Sequence, residues 1–158
     1  MQEKNTEKII IYTDGSARGN PGSGGWAVVF LMSGKVVEIG GKSEHATNNQ
    51  MELSAPIGAL KHLKEKLFRQ GLKSGIEIFS DSKYVILGIT EWIFGWMKEG
   101  WKNAAKKPVL NRELWEELYE LAQNFDIKWT YVEGHTGNKW NERADEIATS
   151  FADGIPII

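Results

Sequence analysis

Four carboxylates and one histidine stand out in this chain by the kind of pattern each one interrupts. Asp14 follows the apolar run Ile9-Ile10-Ile11-Tyr12-Thr13, and Asp81 follows the alternating run Ile76-Glu77-Ile78-Phe79-Ser80. Both patterns are those of strands, so both aspartates are expected where a strand surfaces. Glu52 falls near the start of one helical pattern, and Asp145 about one turn into another that opens at Asn141, an N-cap candidate. Brought together, four carboxylates repel unless cations neutralise them, and an all-oxygen set suits Mg²⁺ or Mn²⁺. Two such ions about 4 Å apart serve phosphodiester cleavage, one activating water and the other stabilising the leaving oxygen. His135, in Gly134-His135-Thr136-Gly137, sits in a loop suited to a mobile proton carrier. Singly, each carboxylate has an ordinary alternative: Asp14-Gly15 as a turn, Asp81 as a helix cap, Glu52 and Asp145 as partners of helix dipoles. Convergence of all four is what favours chemistry. His45 and His62 are read as incidental, His62 on a helix surface.

The elements that must position these groups follow from periodicity. Residues 26–31 and 35–40 flank the turn pair Ser33-Gly34 and predict a hairpin, which with the opening strand makes an antiparallel meander. Residues 19–25 read as a Gly-rich loop around Asn20-Pro21 that spells neither a P-loop nor a dinucleotide fingerprint. Thr47 and Gln50 have capping-box spacing, and Met51, Leu60, Leu63 and Leu67 continue an apolar face, which predicts a helix of about twenty residues. Pro56 inside it predicts a bend beside Glu52. With that helix as a right-handed crossover, the strand ending at Ser80 lies parallel to the first, and Asp14 and Asp81 become neighbours.

Further on, residues 82–90 and 92–102 read as two short helices, the second carrying Trp92, Trp96 and Trp101. Lys98, Lys102, Lys106 and Lys107 against Glu99 leave this stretch at +3 (4 − 1). Residues 111–124 predict an amphipathic helix with a solvated acidic face, residues 127–132 a last strand, and Asn141 onward a final helix. The chain has the length of one domain and contains no Cys, which excludes disulfides and thiolate chemistry. No apolar run approaches membrane-spanning length and no signal-peptide core is present, so a cytoplasmic location is expected. A net charge of −2 means that any polyanion site must come from local clustering or bound cations.

Thr13-Asp14-Gly15-Ser16 with Gly19-Asn20-Pro21-Gly22, Thr47-Asn48-Asn49-Gln50-Met51-Glu52-Leu53, Asp81-Ser82-Lys83-Tyr84-Val85, and Gly134-His135-Thr136-Gly137 with Asn141-Glu142-Arg143-Ala144-Asp145 resemble the signature blocks of bacterial-type ribonuclease HI, in that family's order. The resemblance implies an α/β ribonuclease H-like fold, a five-stranded mixed sheet in the order 3-2-1-4-5 flanked by helices. It implies one catalytic domain over residues 1–158, with 1–8 as an N-terminal extension and 153–158 as a C-terminal tail. The implied activity is endonucleolytic hydrolysis of the RNA strand of RNA/DNA hybrids, dependent on Mg²⁺ with Mn²⁺ as a substitute, two ions being held with substrate, and leaving 5′-phosphate and 3′-hydroxyl ends. Asp14, Glu52, Asp81 and Asp145 match the metal-binding catalytic carboxylates, and His135 matches the histidine that assists proton transfer or product release.

By the same resemblance Asn20, Asn48 and Asn49 line the RNA-strand groove, and Thr47 with Asn111 forms a pocket for a DNA-strand phosphate. Residues 92–107 match a basic protrusion whose tryptophans, Trp92 and Trp101, flank the DNA strand, while Trp96 packs inward. Lys83 stands where a Gln often contacts RNA. Met97, Glu99 and Ala104-Ala105 make the protrusion less basic than is common, which predicts weaker hybrid affinity. A hybrid duplex is the expected partner, with no membrane or obligate protein partner and the chain a monomer. The competing readings are a DNA nuclease of the same fold superfamily and a hybrid-binding module without catalysis.

Overall fold

The computed structural model describes residues 8–70 and 75–158, with the side chains of all of these except 67–70. Residues 1–7 of the expected extension and the side chain of Leu67, expected on the apolar face of the first helix, lie outside that description. In chain order the elements are β1 (Ile9–Gly19), β2 (Gly22–Met32), β3 (Lys35–Ala46), α1 (Asn48–Gln70), β4 (Gly75–Ser80), α2 (Lys83–Leu87), a π turn (Gly88–Trp92), α3 (Ile93–Lys98), α4 (Arg112–Ala122), β5 (Asp126–Tyr131) and α5 (Lys139–Ala152). The strands form one sheet in the order β3-β2-β1-β4-β5. The first three pair antiparallel, and β4 lies parallel to both β1 and β5, which is the expected mixed sheet.

Alternation along each strand divides two cores between the sheet's faces. Ile9 and Ile11, Val28 and Phe30, and Ile76 and Ile78 face the larger one, with Leu53, Leu60 and Leu63 of α1 and Trp115 and Leu118 of α4. Tyr12, Ala27 and Val29 face the smaller one, which Ala144, Ile147 and Ala148 of α5 close. Asp14 continues the face of Tyr12, so it points toward α5.

Several boundaries differ from the sequence expectation. β1 does not end at Asp14: β2 pairs with it down to Gly19↔Gly22, and what stops at Thr13↔Ser80 is the pairing with β4. Asp14 therefore lies one residue past the point where β1 and β4 part. The expected Gly-rich loop shrinks to the turn Asn20-Pro21, because Gly22 to Gly25 are strand. Ser33 and Gly34 both take positive φ, 51° and 74°, as a hairpin turn of the primed type requires. Helix α1 runs through Pro56, and its start is a reciprocal capping box: Gln50 N donates to Thr47 Oγ1 (3.1 Å) and Thr47 N donates to Gln50 Oε1 (2.9 Å).

The two short helices expected after Asp81 are one continuous helical segment, 83–98, with a π turn at its centre. The π turn opens at Gly88, where a Cβ would collide with the buried Trp115 ring, so the backbone there lies directly against the indole. The last helix begins earlier than expected. Its cap is Asn138, whose side chain accepts from Trp140 N (3.1 Å) and Asn141 N (2.9 Å), while Asn141 is turned inward at 2% exposure. Asp145 thus sits nearly two turns into α5 rather than one. His62, expected on the surface, is half-buried against Phe30 (5.0 Å between ring centroids), with Nε2 enclosed. The tail folds back on α5, Ile155 N donating to Ser150 O (2.9 Å) and Ile157 N to Ser150 Oγ (3.2 Å).

Candidate active site

Asp14, Glu52 and Asp81 each offer a carboxylate oxygen within 4.8 Å of the other two. The sheet supplies two of them because β1 and β4 separate just before Asp14 and Asp81. Glu52 arrives on the first turns of α1, and Gly15 lets it: a Cβ at position 15 would collide with the backbone of Met51 and Glu52. Gly134 does the same for the loop after β5, since a Cβ there would come within 2.8 Å of Asp81 Oδ2. Asp145 lies outside the tight trio yet within hydrogen-bond reach of Asp14.

The electrostatics are those of a site built for a cation. Burial first, then the charges of Glu52, Asp81 and Asp145 and the hydrogen bond to Asp145, hold the Asp14 carboxyl well above the usual aspartate range. Burial and then the Asp81 charge push Glu52 to about 8, although Asp14 and the Gly15 backbone N–H bond its charged form and partly oppose the shift. Glu52 Oε1 is buried with no hydrogen-bond partner. A buried carboxylate oxygen left unmatched is costly, and a divalent ion would match it. The residues therefore fit a hard cation.

Around this centre, Asn141 Nδ2 donates to Asp81 Oδ2 (3.3 Å). The sequence reading missed this role, although Asn141 lies four residues before Asp145 and so on its face of the helix. His135 is exposed in the loop before α5, with φ 57°. Asn48 Oδ1 accepts from Ala17 N (2.8 Å) and Asn48 N donates to Asn20 Oδ1 (3.0 Å), which joins Asn20 and Asn48 where β1 turns; Asn49 is exposed beside them. Thr47 and Asn111 meet through Gln50, whose Nε2 donates to Asn111 Oδ1 (3.3 Å), and Asn111 Nδ2 donates to Tyr84 Oη (3.1 Å). Gln50 and Tyr84 are thus members that the resemblance did not supply. Lys83 is exposed, its Nζ 5.4 Å from the Tyr131 ring centroid.

Tyr84 of α2 and, in the protrusion, Trp92, Trp96 and Trp101 follow one another at ring spacings of 6.2, 6.0 and 6.1 Å. Trp92 is 40% exposed, whereas Trp101 is 9% exposed beneath the Arg112 guanidinium. Trp101 lies beneath Arg112 and against Trp96, while Trp92 presents the more open ring. Lys102, Lys106 and Glu99 rim a cleft beside Trp92 and Trp96.

A family model for RNase H matches residues 6–153. The chain belongs to the ribonuclease H family. Among relatives of this ribonuclease H, the Ribonuclease H of Thermosynechococcus vestitus is 50% identical over 93% of this chain and 90% of its own. The Ribonuclease HI of Pseudomonas aeruginosa is 44% identical over 95% and 97% respectively. LC9-RNase H1, a type 1 RNase H with the type 2 active-site motif, superposes with a TM-score of 0.82 at 27% identity over 98% of this chain and 76% of that one. LC11-RNase H1, whose structure holds an RNA/DNA hybrid, gives 0.70 at 27% identity over 92% and 97%. As a ribonuclease H the chain is an endonuclease, and its family depends on divalent metal. Among the described residues no helix is long and apolar enough to cross a membrane.

Proposed function

We propose that this ribonuclease H hydrolyses the RNA strand of RNA/DNA hybrids at the Asp14, Glu52 and Asp81 cluster, with Asp145 beside it, leaving 5′-phosphate and 3′-hydroxyl ends. The observation that carries the reading is the trio of oxygens within 4.8 Å around a buried, unpartnered Glu52 Oε1. Mg²⁺, replaceable by Mn²⁺ and present as two ions with substrate, suits the all-oxygen donor set. When bound, such ions polarise the phosphoryl group and supply an activated water. Asp14, Glu52 and Asp81 hold the charge that attracts them. Asn141 orients Asp81, and His135 carries a proton to or from the leaving strand.

Asn20, Asn48 and Asn49 face the RNA strand, where amides read 2′-hydroxyls. Lys83 adds a charge contact to that strand. Thr47 and Asn111 hold a DNA-strand phosphate, and Trp92 and Trp101, with Trp96 packed between them, flank the DNA strand. The protein works as a monomeric single domain over residues 1–158, in the cytoplasm, with no obligate protein partner. One end-labelled sequence offered as RNA/DNA, RNA/RNA, DNA/DNA and single-stranded RNA, with Mg²⁺, Mn²⁺ or EDTA, tests this. Cutting confined to the hybrid's RNA strand and lost in EDTA is expected. Cutting of DNA identifies a DNA nuclease of the same fold, and hybrid binding without cutting identifies a binding module.

A further inference from the structure

Asp14 and Arg18 lie on one face of β1, and Asp145 and Asp153 lie along α5, which packs on that face. Four strand residues span about 13 Å and eight helical residues about 12 Å, so the two elements keep step: Asp14 meets Asp145, and Arg18 meets Asp153. Arg18 Nε and Nη2 donate to Asp153 Oδ1 (2.6 Å) and Oδ2 (2.9 Å) in a bidentate pair. The Arg18 side chain is nevertheless 54% exposed, so solvent screens the pair despite its bidentate geometry. Asp153 also sits at the C-cap of α5, the negative end of the helix dipole, where a carboxylate is disfavoured. Stability is thus only a partial reason for this pair.

Its position gives a better one. Arg18 directly follows Ala17, whose N–H is held by Asn48, and precedes the turn bearing Asn20. Asp153, and beyond it Asp145, are the anions whose charges bear on the guanidinium. A polyanion crossing the carboxylate cluster therefore meets a forked cation on its α5 side, of the geometry that matches phosphate. We propose that Arg18 is a contact for an RNA-strand phosphate flanking the cleaved one, and that Asp153 holds the guanidinium in reserve until hybrid displaces it. This rests on the hybrid-cleaving reading above. Asp153 acts as an internal competitor for the site that the phosphate takes.

Steady-state cleavage of one hybrid across a KCl series, with wild type, Arg18→Ala, Arg18→Lys and Asp153→Asn, tests it. Arg18→Ala should raise KM about three- to tenfold at low salt and flatten the dependence of log KM on log [KCl] by about one phosphate contact, the effect falling on KM rather than kcat. Arg18→Lys should recover part of the loss, because it keeps the charge without the fork. Asp153→Asn should lower KM by releasing Arg18. An unchanged KM and salt slope in Arg18→Ala overturns the proposal. So does Asp153→Asn raising KM as much as Arg18→Ala, since the pair would then act as a structural clasp. Failure of the wild type to cut any hybrid defeats the underlying reading instead.

Discussion

The carboxylate centre and the aromatic protrusion are built in opposite ways. The centre draws Asp14, Glu52 and Asp145 from three elements and Asp81 from just past the end of β4, packs like charges together and leaves Glu52 Oε1 without a partner. The protrusion comes from one contiguous stretch, sets Trp92, Trp96 and Trp101 against one another in tilted ring contacts and leaves its lysines in solvent. One region concentrates like charges that a cation would relieve, and the other packs its rings against Trp115 and Arg112 of α4 and offers a surface. Substitutions at the first are therefore expected to lower kcat, and those at the second to raise KM.

The strongest way to break this division is Asp14→Asn. Cleavage should fall roughly 10³-fold, the equivalent of about 4 kcal/mol in barrier, while Tm in EDTA rises because a repelling carboxylate has gone. Retained cleavage would place the chemistry elsewhere. Gly15→Ala comes next: the collision with Met51 and Glu52 should lower kcat about 10²-fold and stability by about 1–3 kcal/mol. Gly88→Ala, which collides with Trp115, should cost similar stability but raise KM rather than lower kcat.

A pH series sharpens the same contrast. Glu52 titrates near 8 when folded against an ordinary value of 4.5, and Asp14 shifts in the same direction. Between those values the folded state binds more protons than the unfolded one, so metal-free stability falls as pH rises from about 4.5 toward 8. Added Mg²⁺ should abolish that fall, and thermal melts in EDTA and in Mg²⁺ read both. Smaller effects belong to the protrusion. Trp92→Ala should raise KM about tenfold, the worth of one stacked base, with little change in Tm. Glu99→Lys should lower KM about two- to threefold at low salt, and an unchanged KM there would remove the link between the protrusion's charge and affinity.

The strands that carry Asp14 and Asp81 were legible because each is an apolar run stopped by a carboxylate, and the crossover rule then made them neighbours. Glu52 was legible from the capping box that fixes where α1 starts. Other features were hidden in contacts between distant residues. The π turn lies against Trp115, twenty-seven residues beyond Gly88. Asn138 and Asn141 are both plausible caps by residue type, and only the proximity of Asp81 decides which one turns inward. Trp101 resembles Trp92 in the sequence, yet Arg112 covers it from another helix. Local pattern gave the frame and its carboxylates, while long-range packing chose the orientation of the side chains around them.

Helix α5 closes the smaller core over Tyr12, Ala27 and Val29, and it also brings Asp145 to Asp14 and Asn141 to Asp81. It is the last of the described elements to leave a ribosome. During synthesis the nascent chain carries the first three carboxylates while that sheet face stays open and Asp81 lacks its amide. The helix that closes the smaller core is thus also the one that brings the fourth carboxylate to the other three.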